Sequence, residues 1–99
     1  MRLVNFVFIG VCFSFAAHAS ENRTETCKGV SGIAMKIMAA RQGGVPVSDL
    51  LSELEKAGDD QWIFELVKLA YSEPRFSTEE NKQKSVTEFG NQTFISCID

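Results

Sequence analysis

The sequence predicts an all-α protein: a small bundle of about four helices, with one disulfide joining the N- and C-terminal helices. Apolar residues recur at helical spacings of three and four, and after the N-terminal segment no stretch alternates apolar and polar residues for long enough to form a strand. Glycine, proline and capping residues divide the chain into segments of helical length. Its 99 residues allow one domain.

Residues 1–19 have the features of a cleavable secretory signal peptide, so residues 20–99 are predicted to form the mature domain. Arg2 supplies a basic start, an apolar run extends over Phe6–Ala17, and Ala17-His18-Ala19 fits the small-x-small pattern that precedes a cleavage site. The apolar run is shorter than the roughly 20 residues of a membrane-spanning helix. We therefore expect export to the periplasm or the exterior without stable membrane insertion; an uncleaved anchor is the alternative.

Cleavage would leave Cys27 and Cys97 as the only cysteines of the mature chain. In an exported protein an even count predicts a disulfide. Closing a loop of about 71 residues stabilises by roughly 4 kcal/mol in the chain-entropy model, and a domain this small needs that contribution. A redox-active pair is the less favoured interpretation, because the sequence has no C-x-x-C motif.

The composition of the mature chain argues against several functions. Cleavage removes Arg2 and His18, which changes the formal charge from −3 to −4 and leaves no histidine. A basic nucleic-acid footprint is therefore absent, as are histidine-dependent general-base, triad and zinc schemes. The carboxylates lie at helix starts or on exposed faces, where capping explains them. We expect no enzyme activity, cofactor or metal.

The first helix of the mature domain is predicted to start at Thr26 and to stop at Gln42-Gly43-Gly44, where glycine can adopt the left-handed cap conformation. Gly29 and Gly32 lie on its opposite side. They indicate either a weak helix or close approach by something outside the domain. One face is apolar, with Arg41 at its end: Cys27, Val30, Ala34, Ile37 and Met38, flanked by Ile33.

A second, short helix is predicted to begin after Ser48 as its cap and to end at Gly58, with Val45-Pro46-Val47 extended before it. Glu53 and Lys56 form an exposed pair at helical spacing. The inner stripe is Leu50, Leu51 and Leu54, which predicts a clamp over the core.

The third helix, Asp60 to Tyr71, is apolar over more than half of its circumference and is therefore predicted to be central and surrounded. Asp59 and Asp60 are its expected caps, and Pro74 ends it. Its apolar positions are Trp62, Ile63, Phe64, Leu66, Val67, Leu69, Ala70 and Tyr71.

The fourth helix is predicted to run from Thr78 to about Cys97, with a capping box formed by Ser77 and Glu80. Gly90 lies in the middle of its apolar face and is expected to let a neighbouring helix approach closely. The apolar face contains Val86, Phe89, Phe94 and Cys97. Surface ion pairs are expected for Lys82 with Glu79 and for Lys84 with Glu80 and Glu88.

Three residues are candidates for partner binding. Tyr71 and Arg75 flank Glu73-Pro74, and tyrosine and arginine are over-represented at binding hot spots. The alternative for Tyr71 is a lid on the core whose hydroxyl meets water. Arg41 lies within an apolar face, so we expect it to find a carboxylate or carbonyl partner or to reach out at the helix end; an anion-binding role is the alternative.

Several short motifs resemble those of a family of small exported two-cysteine helical proteins of bacteria and their phages. The matching segments are Ala39-Ala40-Arg41-Gln42-Gly43, Ala70-Tyr71, Pro74-Arg75-Phe76-Ser77, Phe89 and Cys97. That family has a signal peptide, one cysteine opening helix one and another near the C-terminus. The resemblance implies an exported helical protein and assigns no catalytic residue.

The chain is also similar to periplasmic acid-stress chaperones of the HdeA kind in size, export, helix content and its single disulfide. It departs from them because its cysteines lie at the two ends of the domain. We therefore expect a non-enzymatic module that binds a protein partner in the cell envelope. The alternatives are an acid-stress chaperone and an inhibitor of an envelope enzyme such as lysozyme.

Overall fold

The computed structural model describes the backbone of residues 2–58 and 60–99 and the side chains of residues 22–58 and 60–99. The predicted signal peptide, residues 1–19, and the expected capping role of Asp59 lie outside the side chains described. The described residues form four helices and no strand, which confirms the predicted all-α class: α1 (Arg2–Gln42), α2 (Val47–Ala57), α3 (Gln61–Tyr71) and α4 (Glu79–Ile98).

The central helix of the bundle is α1, and not α3 as the sequence predicted. α1 packs along both α4 and α3, while α2 contacts α3. α3 is not surrounded, because Trp62 remains 39% exposed and Leu69 57% exposed. The prediction was wrong because an apolar circumference shows that a helix has apolar surface to bury, but not that enough neighbouring helices are present to bury it.

The core lies along the inner side of α1. Ile37 and Met38 of α1 meet Ile63 and Val67 of α3. α2 contributes no fully buried residue, and its three leucines pack against this core only partly buried, as expected of a clamp. The buried cluster consists of Ala34, Ile37, Met38, Ile63, Leu66, Val67, Ala70 and Phe89.

The predicted disulfide between Cys27 and Cys97 joins α1 to α4, with 5.7 Å between the Cα atoms. Hydrogen bonds also join the same pair of helices. The Arg23 guanidinium donates to the carbonyl oxygen of Ile98 at 3.1 Å. The Ser31 hydroxyl donates to the carbonyl oxygen of Gly90 at 2.8 Å. The C-terminal end of α4 therefore lies against residues 23–27 of α1, so α1 and α4 are joined as the cysteine positions predicted.

Three helix starts differ from the sequence predictions. α1 already includes residues 22–25, which were expected to precede the helix that starts at Thr26. α2 begins at Val47 with Pro46 at its cap position, so Ser48 lies inside the helix. A proline fixes φ near the helical value and lacks the N–H that a first turn leaves unpaired, which lets the helix start two residues early. Gly58 ends α2 in the left-handed conformation, as expected.

The cap of α4 is Thr78, one residue after the predicted Ser77. Thr78 has an extended backbone, and its hydroxyl accepts a hydrogen bond from the Asn81 amide at 3.2 Å. Two adjacent hydroxyl residues compete for one cap position, and the sequence pattern does not distinguish them. The predicted pair Glu53–Lys56 forms at 3.6 Å. The expected pairs of Lys82 and Lys84 do not form among the described residues, where such exposed contacts contribute little.

Gly90 allows the close contact between α1 and α4 that the sequence predicted. A Cβ atom at Gly90 would overlap Met35 Cγ and lie 2.8 Å from its Sδ, whereas a Cβ atom at Gly32 meets nothing within 4 Å. We expect Gly90→Ala to destabilise by about 1 kcal/mol, because overpacking outweighs the gain in helix propensity. We expect the matched control Gly32→Ala to stabilise by up to about 1 kcal/mol. Urea denaturation measures both, and equal effects of the two would contradict the close contact.

Candidate functional site

The three residues predicted for partner binding meet at one corner, where the α1–α2 and α3–α4 loops approach each other. Arg41 Nε donates to the carbonyl oxygen of Glu73 at 3.1 Å, and its guanidinium lies 5.3 Å from the centre of the Tyr71 ring. The Tyr71 hydroxyl donates to the carbonyl oxygen of Val45 at 2.6 Å. The expected carbonyl partner of Arg41 is therefore confirmed. The side chains of Arg41 and Tyr71 therefore each bind a backbone carbonyl group in another segment of the same chain.

Arg75 lies at the same corner but is more exposed. Its Nε donates to the carbonyl oxygen of Gln42 at 3.1 Å. The guanidinium packs against Gly44, where a Cβ atom would lie 2.9 Å from Arg75 Nη2. Gly44 also has a φ of +85°, so both its conformation and its neighbour favour glycine at this position. Arg75 thus fixes the α1–α2 loop while its outer surface remains accessible.

Gln42 is a buried residue that the sequence analysis did not identify as important. Its side chain is 2% exposed. Its Nε2 donates to the carbonyl oxygen of Pro74 at 2.9 Å, and its Oε1 accepts from the Phe76 amide at 2.8 Å. A signal was present, because Gln42 follows Met38 by four residues and so lies on the apolar face of α1. Gln42 holds the α3–α4 loop in place.

The single tyrosine gives this corner a measurable pH dependence. Burial raises the pKa of Tyr71 above its ordinary value of 10.0, and the positive charge of Arg41 opposes this in part. Above pH 10 the unfolded chain loses the Tyr71 proton before the folded chain does, so stability is unaffected below pH 10 and falls as the pH rises through the folded pKa. We expect tyrosinate absorbance to titrate later in the folded protein than in urea. Coincident titrations would contradict this, and Tyr71→Phe is the control for stability.

A groove follows the junction of α3, the α3–α4 loop and α4. It consists of two adjoining clefts of about 290 and 250 Å³, which share Glu73, Phe89 and Gln92. The buried side chains of Met38 and Phe89 form its floor. We call this feature the α3–α4 groove; its remaining lining residues are Leu66, Leu69, Ser72, Phe76, Asn81, Lys84, Ser85, Glu88, Thr93 and Ser96.

The walls of the α3–α4 groove combine exposed apolar and charged side chains. Leu69 is 57% exposed and Phe76 is 37% exposed. Glu73, Glu88 and Lys84 line the cleft nearer the α3–α4 loop, and none of the three forms an ion pair with another described residue. The groove therefore has an apolar floor with two negative charges and one positive charge around it.

The corner and the α3–α4 groove are parts of one region. Arg41 holds the backbone of Glu73, and Gln42 holds the backbone of Pro74 and Phe76. Glu73 and Phe76, which line the groove from the α3–α4 loop, thus lie on a segment fixed by the last turn of α1. Arg41 and Gln42 position this wall of the groove.

No group of three or more His, Cys, Asp or Glu side chains that could hold a metal ion occurs in the part of the chain whose side chains are described. Within that part, no helix is long and apolar enough to cross a membrane. The apolar and charged walls of the α3–α4 groove suit recognition of another molecule by contact.

Sequence reasoning found the corner but not the α3–α4 groove. Leu69 and Phe89 were both assigned to apolar helix faces, and Phe76 was named only within a motif that resembles a family. The available signal was an excess of apolar residues on α3 over what two neighbouring helices can cover. Comparisons with protein-family models, curated proteins and solved structures find no match for this chain.

Proposed function

We propose that this protein is an exported, non-enzymatic module that binds a protein partner of the cell envelope in the α3–α4 groove. The observation that carries the proposal is the groove itself, in which Leu69 and Phe76 stand exposed beside the buried ring of Phe89. Binding of a partner over such a concave apolar surface is favourable, because it removes the apolar side chains from water. The Cys27–Cys97 disulfide is compatible with an oxidising compartment outside the cytoplasm.

The charges of the groove indicate the chemistry of the partner. A partner segment seated over Phe89 lies close to the carboxylates of Glu73 and Glu88, neither of which has a positive partner among the described residues. An amphipathic helix that carries apolar side chains and a Lys or Arg complements this surface, in the usual mode of a helix bound in a groove. Charge complementarity of this kind favours specificity and rapid association.

The experiment is affinity capture from envelope extract with the oxidised protein, followed by measurement of the captured partner's affinity for purified variants. Leu69→Asp places a charge on the apolar wall, so we expect the affinity to fall by about tenfold or more. Val47→Asp is the matched control, because Val47 is also an exposed aliphatic residue but lies at the start of α2, where an acidic residue is tolerated. We expect Val47→Asp to bind as the unchanged protein does.

Two further results decide between surfaces. Equal binding by Leu69→Asp and the unchanged protein would exclude the α3–α4 groove as the contact. Loss of binding in Arg75→Ala but not in Leu69→Asp would assign the contact to the outer surface of the corner instead.

Capture of a stoichiometric envelope enzyme whose activity falls on binding would specify the module as an inhibitor. Recovery of no stoichiometric partner would contradict the proposed function.

A further inference from the structure

A second concave site lies between α1 and α2, with one residue of α3 among its lining. It is a slot of about 230 Å³ whose lining side chains are aliphatic except for one lysine. Ile37 and Ile63 form its buried base, and Leu50 and Leu54 of α2 form one wall. The slot is lined by Ile33, Lys36, Ile37, Leu50, Leu54 and Ile63.

The slot exists because α2 covers this part of the core incompletely. α2 has no fully buried residue, and its leucines are only partly buried against the core. The aliphatic side chains that line the open slot are therefore in contact with water. An alkyl group that enters the slot removes this apolar surface from water.

Among the residues whose side chains are described, Lys36 has no carboxylate partner, unlike three other lysines of the bundle. Lys28, Lys56 and Lys68 each lie 3.4 to 3.6 Å from a glutamate three residues earlier in the chain. Lys36 forms no ion pair or hydrogen bond with any described residue. The positions three and four residues away from it hold Gly32, Ile33, Ala39 and Ala40, which supply no carboxylate. One exposed, unpaired positive charge therefore stands beside an aliphatic slot.

We infer that this slot binds an anionic amphiphile, with its alkyl chain beneath α2 and its negatively charged head group at Lys36. The aliphatic lining matches a hydrocarbon chain and offers no hydrogen bond to a polar ligand, while the ammonium group of Lys36 supplies the attraction for a carboxylate or phosphate. This site is separate from the α3–α4 groove, because the two share no lining residue. The inference therefore does not rest on the proposed protein partner.

The test uses decanoate below its micelle concentration as the probe, with calorimetry of the oxidised protein as the measurement. We expect saturable binding of one decanoate per chain. Lys36→Gln should weaken binding by about fivefold, the scale of an exposed charge interaction. Lys56→Gln is the matched control and should leave binding unchanged. Decanol, which has the same chain without the charge, should bind about as weakly as decanoate binds to Lys36→Gln.

A second variant tests the slot without altering the charge. Ile33→Phe adds volume to a partly buried lining residue, so we expect it to block the chain of decanoate while the helical signal of the bundle is retained. Absence of saturable binding, or equal affinity of Lys36→Gln and the unchanged protein, would overturn the inference. Cosedimentation with vesicles of phosphatidylglycerol, and not of phosphatidylcholine, would identify a membrane lipid as the source. Binding of monomeric decanoate without vesicle binding would identify a free fatty acid.

Discussion

Replacing both cysteines of the disulfide, Cys27→Ala with Cys97→Ala, is expected to lower the free energy of unfolding by about 4 kcal/mol. The bridge closes a loop whose ends are separated by 70 positions in the sequence, and its removal returns that loop-closure entropy to the unfolded chain. A single small core rarely supplies more than about 3–5 kcal/mol. The variant should therefore be largely unfolded at 37 °C and marginally stable when cold.

Urea denaturation followed by helical circular dichroism measures this loss. Ser31→Ala is the matched control, because it removes another contact between α1 and α4, the 2.8 Å hydrogen bond to Gly90, without opening a covalent loop. We expect the control to cost about 1 kcal/mol. A double cysteine variant that loses no more than the control would show that packing of α1 on α4 holds the helices together without the bridge.

The disulfide also shows which parts of this fold a sequence can predict. Two cysteines at the ends of a mature domain, together with four helical segments, leave few ways to arrange the chain, and the prediction that α1 meets α4 is confirmed. The order of burial among the helices was not predictable in this way. α3 was expected to be surrounded because it is apolar over more than half of its circumference, yet α1 is central, because burial depends on how many helices pack against each side.

The candidate site was predictable in part for a similar reason. Arg41, Tyr71 and Arg75 were singled out by residue type and by their positions at helix ends, and the structure brings them together. Their contacts within the chain depend on two loops meeting, which local patterns do not encode. The α3–α4 groove depends on the same loop and on residues far apart in sequence, such as Leu69 and Phe89. Pairwise spacing in the sequence contains no information about such a surface.

Replacing Gln42 with methionine is expected to lower the free energy of unfolding by roughly 2–3 kcal/mol and to loosen one wall of the groove. Methionine has a similar length, so the main change is the loss of the bonds to the Pro74 carbonyl and the Phe76 amide. Each backbone group left without a partner costs about 1–3 kcal/mol. Hydrogen exchange should report faster exchange at the Phe76 amide than in the unchanged protein.

Two controls separate the hydrogen bonds of Gln42 from its bulk. Ser85→Ala removes only the 3.4 Å contact between Gln42 Nε2 and the Ser85 hydroxyl, and should change stability by less than about 1 kcal/mol. Gln42→Glu keeps an acceptor for the Phe76 amide but places a second oxygen against the Pro74 carbonyl, so it should destabilise while Phe76 keeps its slow exchange. Unchanged exchange in Gln42→Met would show that the loop is held without Gln42. If exchange of the Phe76 amide becomes faster in Gln42→Met and the affinity for the partner falls in the same variant, the buried side-chain amide of Gln42 sets the shape of the α3–α4 groove.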